Sequence, residues 1–213
     1  MFAKDYRKAA WGKLSNNWTT AVVAYLIYAA LTAAVSSTGV GTIAVLIFDG
    51  VLLVGLSSML LDISRIGQSK IENVFDGFRY GLATNIVAGL LVNIFTFLWT
   101  LLFIIPGIVK SYSYSMTYYI LADNPNLAPS EAIDMSKKMM HGNKWRLLCL
   151  DFSFIGWYLL CALTLGVLTL WITPYNMMAR AQFYESLKGE APQDDAFVGG
   201  MAEEPKSDNT TQL

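Results

Sequence analysis

Apolar residues come in long uninterrupted blocks along this chain. Trp18 to Val35, Val40 to Leu61, Ala83 to Ile105 and Leu147 to Leu163 are the clearest, and the charges inside them are Asp49 and Asp151. Crossing the ~30 Å hydrocarbon core of a bilayer takes about 20 helical residues, so the blocks have the length of membrane helices. One pattern recurs three times: a polar, basic lead-in containing Gly, an apolar arm, a Gly-containing break and a second apolar arm. The lead-ins are "WGKLSNNW", "FDGFRYGLATN" and "MHGNKW"; the breaks are "SSTGVG", "IPG" and "TLG". Short uncharged breaks built from turn formers join antiparallel helices. The pattern therefore predicts an all-α integral membrane protein of about six transmembrane helices, near 18–35, 40–61, 83–105, 108–122, 147–163 and 167–186, arranged as three helical hairpins.

Charge orients these spans. Lys and Arg of short loops collect on the cytoplasmic side. With both termini inside, Lys4, Arg7, Lys8 and Lys13 precede the first span, Arg65, Lys70 and Arg79 fall between spans 2 and 3, and Lys137, Lys138, Lys144 and Arg146 fall between spans 4 and 5; Arg180, Lys188 and Lys206 lie at or beyond the end of span 6. The outer turns then hold no basic residue, and Lys110 alone is left in the outer half. A four-span alternative, with 110–122 flat on the outside, puts Lys110, Lys137, Lys138, Lys144 and Arg146 on the wrong face. Composition agrees with a membrane class: 54% of the 213 residues are hydrophobic and 15% charged, against about 25% charged in soluble domains. The membrane domain covers 1–189. Residues 190–213 hold six acids against Lys206 and read as a disordered acidic tail. The basic start before an apolar run imitates a signal peptide, but no good small-x-small cleavage site follows, so it reads as a retained first span. Cys149 and Cys161, twelve residues apart on one predicted helix, suit neither a disulfide nor a metal site.

Three segments in order, "LWTLLFIIPGIVKSYSYSMTYYILADNP", "SEAIDMSKKMMHGNKWRLLCLDFSFIGW" and "TLGVLTLWITPYNMMARAQFYESLKG", resemble the bacterial integral-membrane domain-of-unknown-function family 975. The resemblance covers about residues 5–189. It implies a multi-pass protein of the bacterial plasma membrane, with no catalytic residue to carry over.

A handful of polar groups stand out against the apolar background. Asp49, Lys110, Asp151 and Arg180 fall within or just inside the hydrocarbon, where each charge costs roughly 2.5–3.5 kcal/mol on insertion scales and tends to pair inside the bundle. Matched depth pairs Asp49 with Lys110 in the outer half and Asp151 with Arg180 in the inner half, either as structural bridges or as an ion path or anionic-ligand site. Gly77, Gly81, Asn85, Gly89 and Asn93 recur every four residues, the spacing of a close helix–helix seam, within the monomer or between two copies. Pro106-Gly107 is expected to end span 3 and reverse the chain, and Pro174-Tyr175 to interrupt span 6. Tyr112, Tyr114, Tyr118 and Tyr119 form an aromatic flank, as an interfacial belt or a cavity wall. Residues 128–142, with Pro129 near the start, an Asp134–Lys138 pair and Gly142 as stop, read as a cytoplasmic interfacial amphipathic helix. His141 has no nucleophile or carboxylate constellation around it in sequence.

No phosphate-cradling loop, zinc spacing or nucleophile elbow occurs in the sequence, so no catalytic, cofactor-binding or metal residue is assigned and no cofactor is expected. The function expected is binding or assembly, as a membrane scaffold or accessory subunit, with a small ion or solute transporter as the alternative. Expected partners are the lipid bilayer and a protein engaged through 123–146 or the acidic tail; nucleic acid is not expected.

Overall fold

A computed structural model describes residues 3–36, 41–164 and 166–190. The acidic tail from residue 191 on, most of the break "SSTGVG" and Leu165 of the break "TLG" lie outside the described residues. All regular structure among the described residues is helical. In chain order the helices are α1 (Ala3–Leu14), α2 (Trp18–Ser36), α3 (Gly41–Ile66), a 3-10 turn (Ile71–Phe75), α4 (Asp76–Arg79) and α5 (Leu82–Leu102). They continue as α6 (Ile104–Tyr114), α7 (Thr117–Asp123), α8 (Pro129–Met139), α9 (Lys144–Phe152), α10 (Ile155–Leu163) and α11 (Thr169–Glu190).

Among the described residues, four stretches are long and apolar enough to cross a membrane: Trp18–Ser36, Ile47–Ile66, Leu82–Leu102 and Lys144–Leu163, the last being α9 and α10 together. The stretch in α3 is 67% buried within the protein, against 11% to 22% for the other three. Thus α3 is the core helix, while the others keep most of their apolar surface outward, as a hydrocarbon solvent permits. The expected fourth span, 108–122, is two short helices parted at Ser115–Met116, and α7 buries Thr117, Tyr119, Ile120 and Leu121. α7 thus belongs to the interior, whereas Ile108 and Val109 at the start of the segment are exposed.

The stripe expected along span 3 is not one helix. Gly81 takes φ +66°, a left-handed conformation that separates α4 from α5. The close approach survives this break and lies inside the molecule. A Cβ on Gly50 of α3 would stand 2.6 Å from the Asn85 carbonyl oxygen and 2.8 Å from the Gly89 Cα, and one on Gly77 would strike the Val51 carbonyl oxygen. Asn85 is buried and turns its amide back onto the chain, donating to the carbonyls of Gly77 (2.8 Å) and Tyr80 (2.9 Å). Asn93 is half-buried further along α5.

The reversal after α5 also differs from expectation. Phe103, extended at φ −156° and ψ 134°, ends α5, and Pro106 and Gly107 sit in the first turn of α6. Proline is tolerated there because the first amides of a helix have no intrahelical acceptor. The service of Gly107 is proximity: a Cβ on it would lie 2.6 Å from the Thr100 Cα of α5.

α8 starts and stops as read, with Pro129 at its first turn and Gly142 at φ +80° beyond its end. Its ion pair is Asp134–Lys137 at 2.8 Å in place of Asp134–Lys138. Its apolar face is turned into the protein. Ala132, Ile133 and Ser136 are buried against the protein, where the Ser136 hydroxyl donates to the Ser113 carbonyl (2.8 Å) and accepts from the Met116 amide (3.2 Å). Backbone groups exposed by the α6–α7 break are thereby satisfied.

Candidate functional site

Helix ends gather at one end of the molecule. Arg65 near the end of α3, Asp123 at the end of α7 and Glu185 and Lys188 near the end of α11 form a single network. Arg65 donates from Nη1 and Nη2 to the two Asp123 oxygens (2.7 and 2.8 Å) and from Nε to Glu185 (2.8 Å). Tyr184 and Lys188 each donate to Asp123 Oδ2 at 2.9 Å. The Asp123 side chain is 4% exposed. Burial alone would raise its pKa, but the hydrogen bonds from Arg65 and Lys188 outweigh that and hold the carboxyl below the usual carboxylate range. The same end receives α1, whose Tyr6 hydroxyl accepts from Arg146 (2.7 Å) and meets the Ser186 hydroxyl (3.2 Å), and the start of α2, where Asn17 donates to the Gly67 carbonyl (2.7 Å). Sequence reasoning missed this network, because its members are far apart in the chain and each looks like an ordinary loop charge.

Deeper in, the expected inner pair is present. Arg180 Nη2 donates to Asp151 Oδ2 at 2.8 Å, and the Tyr112 hydroxyl donates to the same oxygen at 2.9 Å. Asp151 Oδ1 and Arg180 Nε are buried without a hydrogen-bond partner among the described residues. The expected outer pair is not formed. Asp49 accepts from the Tyr28 hydroxyl (2.8 Å), and the Lys110 ammonium lies 4.7 Å from the centroid of the Trp99 ring. The reason is packing: α6 lies along α5, which carries Trp99, whereas Asp49 turns from α3 toward α2. A cation over an indole face is attracted by the ring quadrupole, so Lys110 has a partner without a carboxylate.

Between α2, α3, α5, α6, α7 and α11 lies a cavity of about 460 Å³. Tyr25 and Tyr28 line it from α2, Tyr114, Tyr118 and Tyr119 from α6 and α7, and Arg180 from α11. Three of the four tyrosines of the predicted aromatic flank therefore face this cavity, and the fourth, Tyr112, binds Asp151. Pro174 lies inside α11, among cavity residues Thr173, Asn176 and Met177, and the Met177 carbonyl accepts from the Tyr119 hydroxyl (3.1 Å). Tyr175 faces elsewhere, donating to the Arg7 carbonyl (3.1 Å). Asp49 borders a separate hollow of about 160 Å³ between α2 and α3, so the Tyr28 hydroxyl bridges from the main cavity to it. Ser57 and Asn176, which sequence reading passed over, also line the main cavity. The available signal was a polar side chain within an otherwise apolar stretch of helix. Among the described residues, no group of three or more His, Cys, Asp or Glu is placed to hold a metal ion.

Comparison with curated proteins and with solved structures finds no match. Residues 102–191, from the end of α5 through α11, match the family model described as "Protein of unknown function (DUF975)". That stretch is shorter than the 5–189 over which the motifs suggested likeness, yet it contains Arg180, Asp151 and the tyrosines of α6 and α7, and over it the chain is similar to the DUF975 family.

Proposed function

We propose that this is a multi-pass protein of the bacterial plasma membrane that works by binding, holding a ligand within its helical bundle. The cavity carries the reading: ligand sites are concave, apolar over most of their wall, carry a few convergent polar groups and occupy about 300–1,000 Å³, and this one has about 460 Å³ with Arg180 among aromatic rings. Four helices of spanning length support embedding. Because basic residues collect at the end where α3, α7 and α11 finish, the charge rule makes that end cytoplasmic. The bacterial source rests on the family resemblance. A scaffold role through 123–146 draws less support, since the apolar face of α8 is used inside the molecule.

Transport of a small solute is the second reading, favoured by the interrupted helix pair α6–α7, whose Ser115 lines the cavity; broken helices at binding sites are a feature of secondary transporters. Proteoliposomes equilibrated with a mixed metabolite extract distinguish the two. Retention of a compound at about one equivalent per protein supports binding, and accumulation in the lumen supports transport. Recovery of nothing above protein-free vesicles would refute both.

A further inference from the structure

The cavity wall has a chemical bias. Ser57 is 2% and Asn176 7% exposed, both line the cavity, and neither side chain makes a hydrogen bond among the described residues. The hydroxyls of Tyr25, Tyr114 and Tyr118 likewise make none there. Buried polar groups in native proteins are hydrogen-bonded in the great majority; these polar atoms are not among the fully buried unpartnered ones, so they open onto the cavity and are free to bond what enters it. Arg180 is the one formally charged residue among those lining the cavity. Its partner Asp151 is not on that wall, so the pair presents its positive member inward. The guanidinium has five N–H donors, the protein takes one at Asp151 Oδ2, and 33% of the side chain remains open. Hydroxyl, amide and guanidinium donors therefore converge on a volume whose remaining wall is aromatic and aliphatic, with Leu53, Val92 and Met177 among the latter.

We infer that the cavity binds an amphiphile carrying one anionic oxygen headgroup, a phosphate or carboxylate, with the headgroup at Arg180 and the apolar body against the tyrosines. Planar guanidinium suits this role, because its fork donates two parallel bonds to such a group. The inference rests on the binding reading above and names its ligand class. The headgroup has two possible sources, a membrane lipid or a soluble organic anion.

The test uses the full chain in nanodiscs of zwitterionic lipid, with thermal unfolding as readout. Phenyl phosphate represents the soluble source and phosphatidate doped into the disc the lipid source; phenyl glucoside and diacylglycerol are their neutral counterparts. A saturating anionic probe is expected to raise Tm by about 5 °C, with little shift from the neutral counterpart. A shift with phenyl phosphate identifies the soluble source, and one with phosphatidate alone the lipid. Two variants locate the site: Arg180→Gln combined with Asp151→Asn, which leaves no stranded charge, and Ser57→Leu, which occupies the cavity and spares the pair. Both are expected to abolish the shift, and if one fails to fold the other still decides. Equal shifts from neutral probes, or a shift that survives in a folded variant, would overturn the anion assignment. If the anionic probes give no shift, the assignment is wrong; should the proteoliposomes nevertheless retain a compound, binding stands and only the ligand class falls.

Discussion

At the scale of single residues, Asp49 and Lys110 show how a charge is accommodated without an opposite charge. Asp49 takes a tyrosine hydroxyl and Lys110 an indole face. Matched depth on two helices was sound reasoning about distance from a surface, but depth does not fix which way a side chain points around its helix axis. The geometry makes a definite prediction. In a double-mutant cycle on detergent-solubilised protein, Lys110→Met and Asp49→Leu should be additive within about 0.5 kcal/mol, as for sites with no shared partner. Tyr28→Phe and Asp49→Leu should couple, because Tyr28→Phe strands a carboxylate that Asp49→Leu removes; a coupling of about 1–3 kcal/mol is expected. Coupling between Lys110 and Asp49 instead would restore the outer ion pair.

At the scale of elements, apolar block length located α2, α3, α5 and the α9–α10 pair to within a few residues, because a helix surrounded by hydrocarbon needs little besides length and apolarity. The same signal failed at 108–122. Nothing in "IVKSYSYSMTYYIL" marks a break after Tyr114, since the device that permits it is a serine 23 residues along the chain from Ser113, with which it bonds. Likewise Phe103 displaced Pro106-Gly107 as the point of reversal, and a proline three residues into a helix is as acceptable as one just outside it. The seam glycines were legible as small residues at a helical period, but their partner Gly50 was not, because one sequence does not state which helix packs on which. The Ser136 stitch predicts its own cost. Ser136→Ala leaves the Ser113 carbonyl and Met116 amide buried without that partner and should destabilise the protein by about 1–3 kcal/mol. Ser130→Ala, on the exposed side of α8, is the control expected within about 0.5 kcal/mol of wild type. Equal behaviour of the two would mean that the break is satisfied by other means.

At the scale of the whole molecule, the ends of α3, α7 and α11 are held by one buried carboxylate. Asp123 accepts from Arg65, Lys188 and Tyr184, so these three helices are tied at one point, below which the central cavity opens between the same elements. Removing one partner of a buried pair typically costs about 3–5 kcal/mol, and Asp123→Asn should lose an amount of that order at neutral pH. The dependence on pH follows from the direction of the shift. Asp123 has its folded pKa below the unfolded value, near 3.9, so its stabilisation is fully present above about pH 4 and disappears as pH falls through the depressed folded value. Thermal stability in non-ionic detergent should therefore separate wild type from Asp123→Asn by a constant margin between pH 5 and 7, and the two curves should converge below about pH 4. Convergence already near pH 6 would assign the tie to a different titrating group. A margin that persists unchanged to pH 2 would show that Asp123 acts through packing and hydrogen bonding, with its charge contributing nothing.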